Sequence, residues 1–258
     1  MRKKLTAIIS TLALLVTVFS QVALVSNVAS AAGNFALRFN GQSVVGSGMS
    51  QSATAPTLTK NFTISADVRW DGTGDYVGLV SRPSSDGNAA QTGYCLCMAQ
   101  GKPALAMRMA GNAANRVFFS NTTLPVNRWA TVKATYDGQV IRIYIDGTLT
   151  DTSTSFGVST DAYASDQPLY LGREFNTSTN QFYVSRAFHG ELDNVEISNG
   201  LYPASLTSLL KYTFSEGTGT TTYDSGPSGM TSNFGTTNPP TWVQGSDPMT
   251  LTYDPVYG

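Results

Sequence analysis

The sequence predicts an all-β protein built from antiparallel strands, and three observations lead to this prediction. Residues 128–151 contain three runs rich in Val, Ile, Thr and Tyr, separated by Asp137-Gly138 and by Asp146-Gly147. Asp-Gly between alternating apolar runs is a strong signal for a tight hairpin turn, so this stretch predicts an antiparallel meander. Charged residues make up only 13% of the chain. No helical pattern in the sequence extends beyond about ten residues.

The first 32 residues have the three parts of a secretory signal peptide. A basic start at Arg2–Lys4 precedes a mostly apolar stretch at Leu5–Phe19, and Ala29–Ala31 offers small residues for cleavage. We therefore expect secretion, with residues 33–258 forming one β domain, a length that suits a sandwich or a barrel. A retained membrane anchor is the alternative, but polar residues interrupt the apolar stretch, and a spanning helix needs ~20 mostly apolar residues.

The charge of the chain argues against a nucleic-acid partner. The net charge is −1, and it becomes −4 once Arg2, Lys3 and Lys4 are removed with the signal peptide. Nucleic-acid-binding domains concentrate Lys and Arg on one face, and this sequence has no basic stripe. We also expect no membrane span after cleavage of the signal peptide.

Alternating apolar residues predict strands on both sides of the meander. In Asn61–Trp70 the even positions are apolar, while Asp67 and Arg69 occupy odd positions and are expected to point outward. Phe175–Tyr183 is expected to lie in a loop, and Leu201–Leu210 to form a short helix or turn. The other predicted strands are Ala36–Gly41, Tyr76–Ser81, Gly93–Gln100, Pro103–Ala110, Arg116–Ser120 and Pro168–Arg173.

The alternation slips within the predicted strand Ala187–Ser198. Leu192 lies in one phase, whereas Val195 and Ile197 lie in the other. An extra residue near Asp193-Asn194 would absorb the slip, which is what a β-bulge does. We therefore predict a bulged strand, and bulges are frequent next to functional sites.

Cys95 and Cys97 are the only cysteines in the sequence. On a strand their side chains would point the same way about 6.5 Å apart, too far for the ~3.8 Å Cβ separation of a disulfide. We expect two free thiols on one face of a sheet. A strained local bridge or a metal pair are the alternatives, but no second cluster of Cys or His completes a zinc site.

Several segments, taken in order, resemble a known family. They are F-T-I-S-A at 62–66, W-x-x-V-x-x-T-Y-D-G at 129–138, Y-I-D-G at 144–147, L-Y-L-G-R at 169–173 and F-H-G-E-L-D-N-V-E-I-S at 188–198. Together they resemble the laminin-G-like domains of the concanavalin A-like lectin/glucanase superfamily. The resemblance covers residues 37–197 and implies a two-sheet antiparallel jelly-roll sandwich. Asp67 departs from the family pattern, which usually has a large apolar residue there.

The C-terminal segment resembles the part that usually opens such a domain. Tyr212–Gly219, Tyr223–Gly226 and Pro240–Val243 carry its motifs, while the strand that usually follows it, Ala36–Gly41, opens the mature protein. We interpret this as a permuted strand order, in which residues 211–258 supply the strands that usually open the domain. Chain termini often lie close together, so permutation is tolerated. We expect a monomer closed within one chain; the alternative is exchange of these strands between neighbouring molecules.

The pattern Glu191-x-Asp193-x-x-Glu196 raises an enzymatic alternative. It resembles the motif of retaining glucanases in the same superfamily, in which one Glu is the nucleophile and the other the acid/base. Retaining hydrolysis needs two carboxyls about 5–5.5 Å apart, one of them with a raised pKa. Glu191 and Glu196 are both expected to face outward once the bulge is counted. Asn194, however, stands where those enzymes have an apolar residue, so we favour a non-catalytic protein.

The resemblance also implies one structural calcium ion. Many relatives bind it with an Asp of the closing strand and main-chain oxygens of the first strands, and Ca²⁺ takes about six to eight oxygen ligands. The predicted set is Asp193 with the turn Asn40-Gly41. Asp71 and Asp75 form the other acidic loop, but turn formation explains them equally well.

Aromatic side chains in loops are the best candidates for ligand contact, because they stack on sugar faces and because loops on a rigid sandwich often carry recognition. We predict a secreted, non-catalytic binding module for carbohydrate or another extracellular ligand. The alternatives are a retaining glycoside hydrolase that uses Glu191 and Glu196, and a structural or adhesive surface module without a ligand pocket. The predicted ligand-binding residues are Tyr76, Phe175, Phe182, Tyr183, Arg69 and Arg142.

Overall fold

The structure is a computed structural model that describes residues 34–46, 55–84, 92–111, 115–157, 160–162, 164–165, 167–176, 179 and 181–246. All of these residues belong to one compact unit, Gly33–Gly258. The predicted signal peptide at 1–32 lies outside the described residues. In the described part of the chain, no helix is long and apolar enough to cross a membrane.

The regular structure of the described residues consists of β-strands. In chain order they are β1 (Phe35–Asn40), β2 (Val45–Gly46), β3 (Phe62–Trp70), β4 (Tyr76–Pro83), β5 (Thr92–Ala99), β6 (Lys102–Arg108), β7 (Asn115–Phe119), β8 (Trp129–Tyr136), β9 (Ile141–Ile145), β10 (Thr148–Thr152), β11 (Tyr170–Leu171), β12 (Arg173–Asn176), β13 (Gln181–Ala187), β14 (His189–Asn199), β15 (Thr207–Tyr212), β16 (Thr221–Tyr223), β17 (Thr231–Phe234) and β18 (Thr241–Gln244).

Two large antiparallel sheets contain most of these strands. The first sheet has the order β10-β9-β8-β3-β14-β1-β18, and β15 pairs with the C-terminal half of β14. The second sheet has the order β16-β17-β2-β11-β4-β5-β6-β7. Strands β12 and β13 form a separate two-stranded hairpin. The predicted all-β, two-sheet antiparallel sandwich is therefore confirmed.

The core consists of side chains from both sheets, which alternation along each strand directs inward. In the first sheet Val68 pairs with Ala130 and with Leu192, and all three side chains are buried. Leu105 and Met107 of the second sheet belong to the same apolar cluster. Complete burial of a Val, Leu or Met side chain stabilises a fold by about 1.5–3 kcal/mol, so this shared core holds the two sheets together.

The meander of β8, β9 and β10 follows the predicted order, but its two turns differ. At Asp146-Gly147 both φ angles are positive, 49° and 79°, as a type I′ turn requires. At Asp137-Gly138 only the glycine has a positive φ, so that turn is not type I′. Oδ1 of Asp137 accepts hydrogen bonds from the backbone N–H groups of Gln139 and Val140. The aspartate side chain thereby closes a longer turn.

Strand β14 contains the predicted bulge. Asp193 pairs with Asp67, yet Glu196 pairs with Ser65, so β14 has one extra residue between these two pairs. Asn194 adopts a positive φ of 45° at this point. The bulge shifts the alternation of side chains by one residue, so that Val195 points into the core.

Two segments differ from the sequence predictions. Phe175 and Phe182 are paired on β12 and β13 rather than placed in a loop. Leu210 lies on β15, where it pairs with Ile197, rather than in a helix or turn. In the second case an available strand edge decides the outcome, because pairing and burial override local preference.

The C-terminal strands pair within the same chain in this structure. Strand β18 pairs with β1 in the first sheet, with Trp242 opposite Leu37. Strand β17 pairs with β2 in the second sheet, with Phe234 opposite Val45. The segment after residue 206 therefore contributes strands to both sheets.

Candidate functional site

The β12–β13 hairpin lies on the outer face of the second sheet, across β4. The hydroxyl of Ser81 donates a 2.7 Å hydrogen bond to the backbone carbonyl of Arg173. Gly78 permits this close approach, because a Cβ there would lie 2.9 Å from Cγ of Glu174 and 3.1 Å from the backbone C of Arg173. Contacts with β4 therefore fix the position of the hairpin.

A buried ion pair joins the two strands of the hairpin. Glu174 is 3% exposed, and its Oε2 accepts a 2.6 Å hydrogen bond from the guanidinium of Arg186. Its other oxygen accepts a weak hydrogen bond from Sγ of Cys95 at 3.5 Å. Burial works to lower the pKa of Arg186, but the Glu174 carboxylate outweighs burial and raises that pKa. Arg186 is therefore a fixed positive charge.

The Arg186 guanidinium lies over two tyrosine rings. It is 4.2 Å from the ring centroid of Tyr183 and 5.1 Å from that of Tyr76. The hydroxyl of Tyr76 lies 3.2 Å from Sγ of Cys97, and its ring meets Phe119 edge-on at 6.3 Å. Burial, with a smaller contribution from Cys97, raises the pKa of Tyr76 well above its ordinary value, so the phenol stays neutral.

Three further aromatic rings pack together at the same hairpin. Phe175 stacks on Tyr170 at 5.4 Å, and Phe182 meets these two rings edge-on at 5.1 and 5.0 Å. The guanidinium of Arg173 lies 5.3 Å from the Phe182 centroid. We define the hairpin surface as Tyr76, Tyr170, Arg173, Phe175, Phe182, Tyr183 and Arg186.

Four of the six predicted ligand-binding residues belong to the hairpin surface. Strand pairing within the hairpin and its packing on β4 bring them together from separate segments. Tyr170, Glu174 and Arg186 were not among the residues predicted from the sequence. One feature of the sequence could have predicted the hairpin that carries them. Apolar and polar residues alternate briefly on both sides of residues 177–180, which is typical of a hairpin.

Arg69 and Arg142, the other two predicted ligand-binding residues, lie on the first sheet. NH1 of Arg69 donates to both carboxylate oxygens of Glu191 at 2.9 Å. NH1 of Arg142 donates to Oδ2 of Asp137 at 2.7 Å. The six predicted residues are therefore divided between the hairpin surface and the outer face of the first sheet.

The carboxylates of the Glu191–Glu196 motif do not converge on one point. Glu191 is only 4% exposed, and its Oε1 accepts 2.9 Å hydrogen bonds from both Arg38 and Arg69. Glu191 therefore lies on the outer face of the sheet, as expected, but Arg38 and Arg69 cover its carboxylate. Oε1 of Glu196 accepts a 3.1 Å hydrogen bond from Ser198, further along β14 and away from Glu191.

Asp193 is completely buried although it lies on the outer face of the first sheet. Its Oδ2 accepts hydrogen bonds from the backbone N–H and the hydroxyl of Ser246, both at 2.9 Å. Burial raises the pKa of Asp193, while hydrogen bonds from Ser246 and Asn194 act in the opposite direction. Ser246 therefore covers the carboxylate that a catalytic cleft would leave open.

The predicted calcium ligands are not brought together. Asn40 pairs with His189 across β1 and β14, and His189 is four residues from Asp193, which is about 13 Å along a strand. Calcium–oxygen distances are about 2.3–2.6 Å, so one ion cannot bind Asp193 together with Asn40 and Gly41. The Asn40 side chain instead accepts a hydrogen bond from the backbone N–H of Gln42. No group of three or more His, Cys, Asp and Glu among the described residues could hold a metal ion.

Cys95 and Cys97 are free and fully buried, which confirms the prediction of two unpaired thiols. They pack with Ala104 and Ala106 and with the ring of Tyr76 on the outer face of the second sheet. Burial raises the pKa of Cys95 well above its ordinary value, so this thiol stays protonated.

A laminin-G family model, described as the concanavalin A-like lectin/glucanases superfamily, matches residues 45–205, more than half of the chain. The chain belongs to this superfamily. The family resemblance of the sequence motifs is thereby confirmed. A comparison with curated protein sequences finds no match.

Solved structures of this superfamily's fold resemble the chain at low sequence identity. A proposed carbohydrate-binding protein from Bacteroides ovatus has a TM-score of 0.57 and 19% identity, covering 83% of this chain and 60% of its own. A heptameric SAP-like pentraxin from Limulus polyphemus has a TM-score of 0.49 and 14% identity, covering 64% of this chain and 76% of its own. Mouse laminin α1 domains LG4-5 have a TM-score of 0.47 and 16% identity, covering 69% of this chain and 43% of their own. The structural similarity to the Bacteroides ovatus protein supports the fold assignment. A fold by itself does not determine a function.

Proposed function

We propose that this protein is a secreted, non-catalytic module that binds an extracellular glycan through the hairpin surface. The observation that carries the proposal is the convergence of Tyr76, Phe175, Phe182 and Tyr183 on or against one hairpin, with two guanidinium groups beside them. Aromatic rings cover the C–H faces of sugars, and a few fixed polar groups orient the hydroxyls. The Bacteroides ovatus protein of the same fold motivates glycans as the first ligand class to test.

The rigidity of the hairpin supports recognition of a ligand. The Glu174 carboxylate holds Arg186 over the rings of Tyr76 and Tyr183 before any ligand arrives. Side chains that are already ordered lose less entropy on binding, about 0.5–1.5 kcal/mol for each one that need not be immobilised. The hairpin surface therefore suits a ligand that interacts mainly by stacking.

The contacts of the acidic motif support a structural role for it. Two arginines pair with Glu191, and Ser246 covers Asp193. Retaining hydrolysis requires two accessible carboxyls about 5–5.5 Å apart. If the protein were a hydrolase, it would release reducing sugar from β-glucans, and Glu191→Gln would abolish that release.

Binding to a glycan array and to soluble polysaccharides in affinity gels tests the proposed function. We expect Tyr183→Ala and Phe182→Ala each to weaken glycan binding about three- to tenfold, because each removes one stacking ring. Tyr223→Ala is the matched control, since Tyr223 is 57% exposed on β16 and outside the hairpin surface. Unchanged glycan binding in both hairpin variants would show that the hairpin surface is not the binding site. Absence of any glycan ligand would favour a structural or adhesive module.

We further propose that the secreted protein is a monomer. Strands β15 and β18 find their partners, β14 and β1, within one chain. Light scattering should give the mass of a single chain at all concentrations. A concentration-dependent assembly that is abolished by truncation before Tyr212 would show strand exchange instead.

A further inference from the structure

Strand β7 carries two exposed apolar side chains on the same outer face as the hairpin surface. Phe119 pairs with Ala104 of β6, and Val117 pairs with Ala106. Both alanines pack with the ring of Tyr76 on that face of the second sheet. Phe119 is 38% exposed and Val117 is 43% exposed. Single exposed apolar side chains are normal on a protein, whereas grouped ones mark an interaction site.

The ring of Tyr76 connects β7 to the hairpin surface. It meets the ring of Phe119 edge-on, with the two ring centroids 6.3 Å apart. The guanidinium of Arg186 lies 5.1 Å from the centroid of the Tyr76 ring and 4.2 Å from that of the Tyr183 ring. The planar groups of Tyr183, Arg186, Tyr76 and Phe119 therefore form one continuous series.

This series is longer than one sugar ring. At the hairpin end, the ring of Phe182 lies 5.0 Å from that of Tyr170 on β11, and Phe119 lies on β7 at the other end. The strand order between these ends is β11-β4-β5-β6-β7. Neighbouring strands are about 4.8 Å apart, so four spacings separate β11 from β7 by about 19 Å. Several linked sugar rings are needed to cover that distance.

The surface is open at its β7 end. Strand β7 is the last strand at this edge of the sheet in the described part of the chain. No described strand therefore closes the surface beyond Phe119. A closed pocket would accept only the end of a glycan, whereas an open surface also accepts its internal units.

Arg186 provides polar contacts in the middle of the series. Its side chain is 34% exposed, and Glu174 is the one acceptor that the described residues provide for its five N–H donors. Donors therefore remain for sugar hydroxyls. Rings that contact C–H faces and a few fixed polar groups that orient a ligand are the usual contents of a small-molecule site.

We infer that the hairpin surface and β7 form one elongated site for an internal stretch of a linear polysaccharide. This inference rests on the proposed glycan binding at the hairpin surface. Phe182 and Tyr183 contact sugar units at one end of the site, and Phe119 contacts units at the other end. Arg186 donates hydrogen bonds to the hydroxyls of the units between them.

A chain-length series in titration calorimetry tests the elongated site. The probes are matched disaccharides and hexasaccharides of the cello-, laminari-, xylo- and manno-oligosaccharides. We expect at least one hexasaccharide to bind about tenfold or more tightly than its disaccharide, because it covers more rings. Equal affinities within every bound pair, or no binding of any hexasaccharide, would overturn the elongated site. The glycan array decides the proposed function separately, because it also presents branched and single-sugar glycans.

Variants of Phe119 test the β7 end of the site. Phe119→Ala should weaken hexasaccharide binding about three- to tenfold and lower the ratio of hexasaccharide to disaccharide affinity. Phe119→Leu, which keeps an apolar side chain on the edge strand, should lower this ratio in the same direction. Tyr223→Ala, at an exposed ring on β16 of the same sheet, is the matched control. An unchanged ratio in both Phe119 variants would overturn the inference, whatever the result for Tyr183→Ala.

Discussion

Asp67 and Asp193 lie directly opposite each other on β3 and β14, and the hydroxyl of Ser246 is 2.9 Å from a carboxylate oxygen of each. A hydroxyl has one proton to donate, so it can donate to only one of the two carboxylates at a time. Asn194 donates to the same oxygen of Asp67 at 2.9 Å. Because Ser246 follows β18, this cluster connects the C-terminal strand to the middle of the first sheet.

Replacing Ser246 with Ala should lower the free energy of unfolding by about 1–3 kcal/mol, because a buried acidic pair loses a hydrogen-bond donor. Urea denaturation measures the change. Ser185→Ala, at an exposed position of β13, is the control and should leave the midpoint unchanged. Equal midpoints for Ser246→Ala and the wild type would show that the hydroxyl contributes nothing to stability.

The Glu174–Arg186 ion pair should stabilise the hairpin. Arg186→Met removes the cation and leaves the Glu174 carboxylate, whose side chain is 4% exposed, without its charged partner. We expect a loss of about 2–3 kcal/mol of unfolding free energy, below the range for fully buried pairs because Arg186 is partly exposed. Arg128→Met, at an exposed arginine, is the control for denaturation. A loss no larger than that of the control would contradict the role of the pair.

The two cysteines should not react in the folded protein. Both are fully buried, and burial raises the pKa of Cys95, whereas thiol reagents attack the thiolate. We expect no reaction with a chromogenic disulfide reagent in native buffer and release of two equivalents after unfolding, one for each free cysteine. Rapid labelling of the native protein, or a mass two hydrogens lower than that of the dithiol, would contradict this expectation.

The acid limb of the stability curve should depend on Asp137. Burial works to raise the pKa of this residue, but hydrogen bonds from Arg142 and from the backbone N–H groups of Gln139 and Val140 outweigh burial and lower it. A carboxyl with a lowered folded pKa adds stability above its unfolded pKa of about 3.9, and this stability is lost as the pH falls through the folded value. Asp137→Asn should therefore have a flatter stability curve below about pH 4 than the wild type.

Urea denaturation between about pH 2 and pH 6 measures this difference. Asp75→Asn, at an exposed position of the turn before β4, is the control and should keep the wild-type slope. If the free energy of unfolding fell with pH equally steeply in Asp137→Asn and in the wild type, the Asp137–Arg142 pair would make no contribution to acid stability.

Alternation of side chains along the chain determined the strands, the meander and the bulge at Asp193-Asn194. These features depend on residues close together in sequence, because a strand directs successive side chains to opposite faces. The spacing of Cys95 and Cys97 on one strand likewise predicted two unpaired thiols. At Phe175–Tyr183, however, the two short strands contain too little alternation to distinguish a hairpin from a loop.

The tertiary structure decided which residues contact one another at the candidate sites. The sequence alone does not show that Arg38 and Arg69 cover Glu191, or that Ser246 covers Asp193, because these partners are 53 to 153 residues apart. Nor does the sequence alone show that residues 201–204 lie beside Thr135. Local periodicity specifies which face a side chain takes, whereas burial, charge pairing and access depend on which distant segment packs over that face.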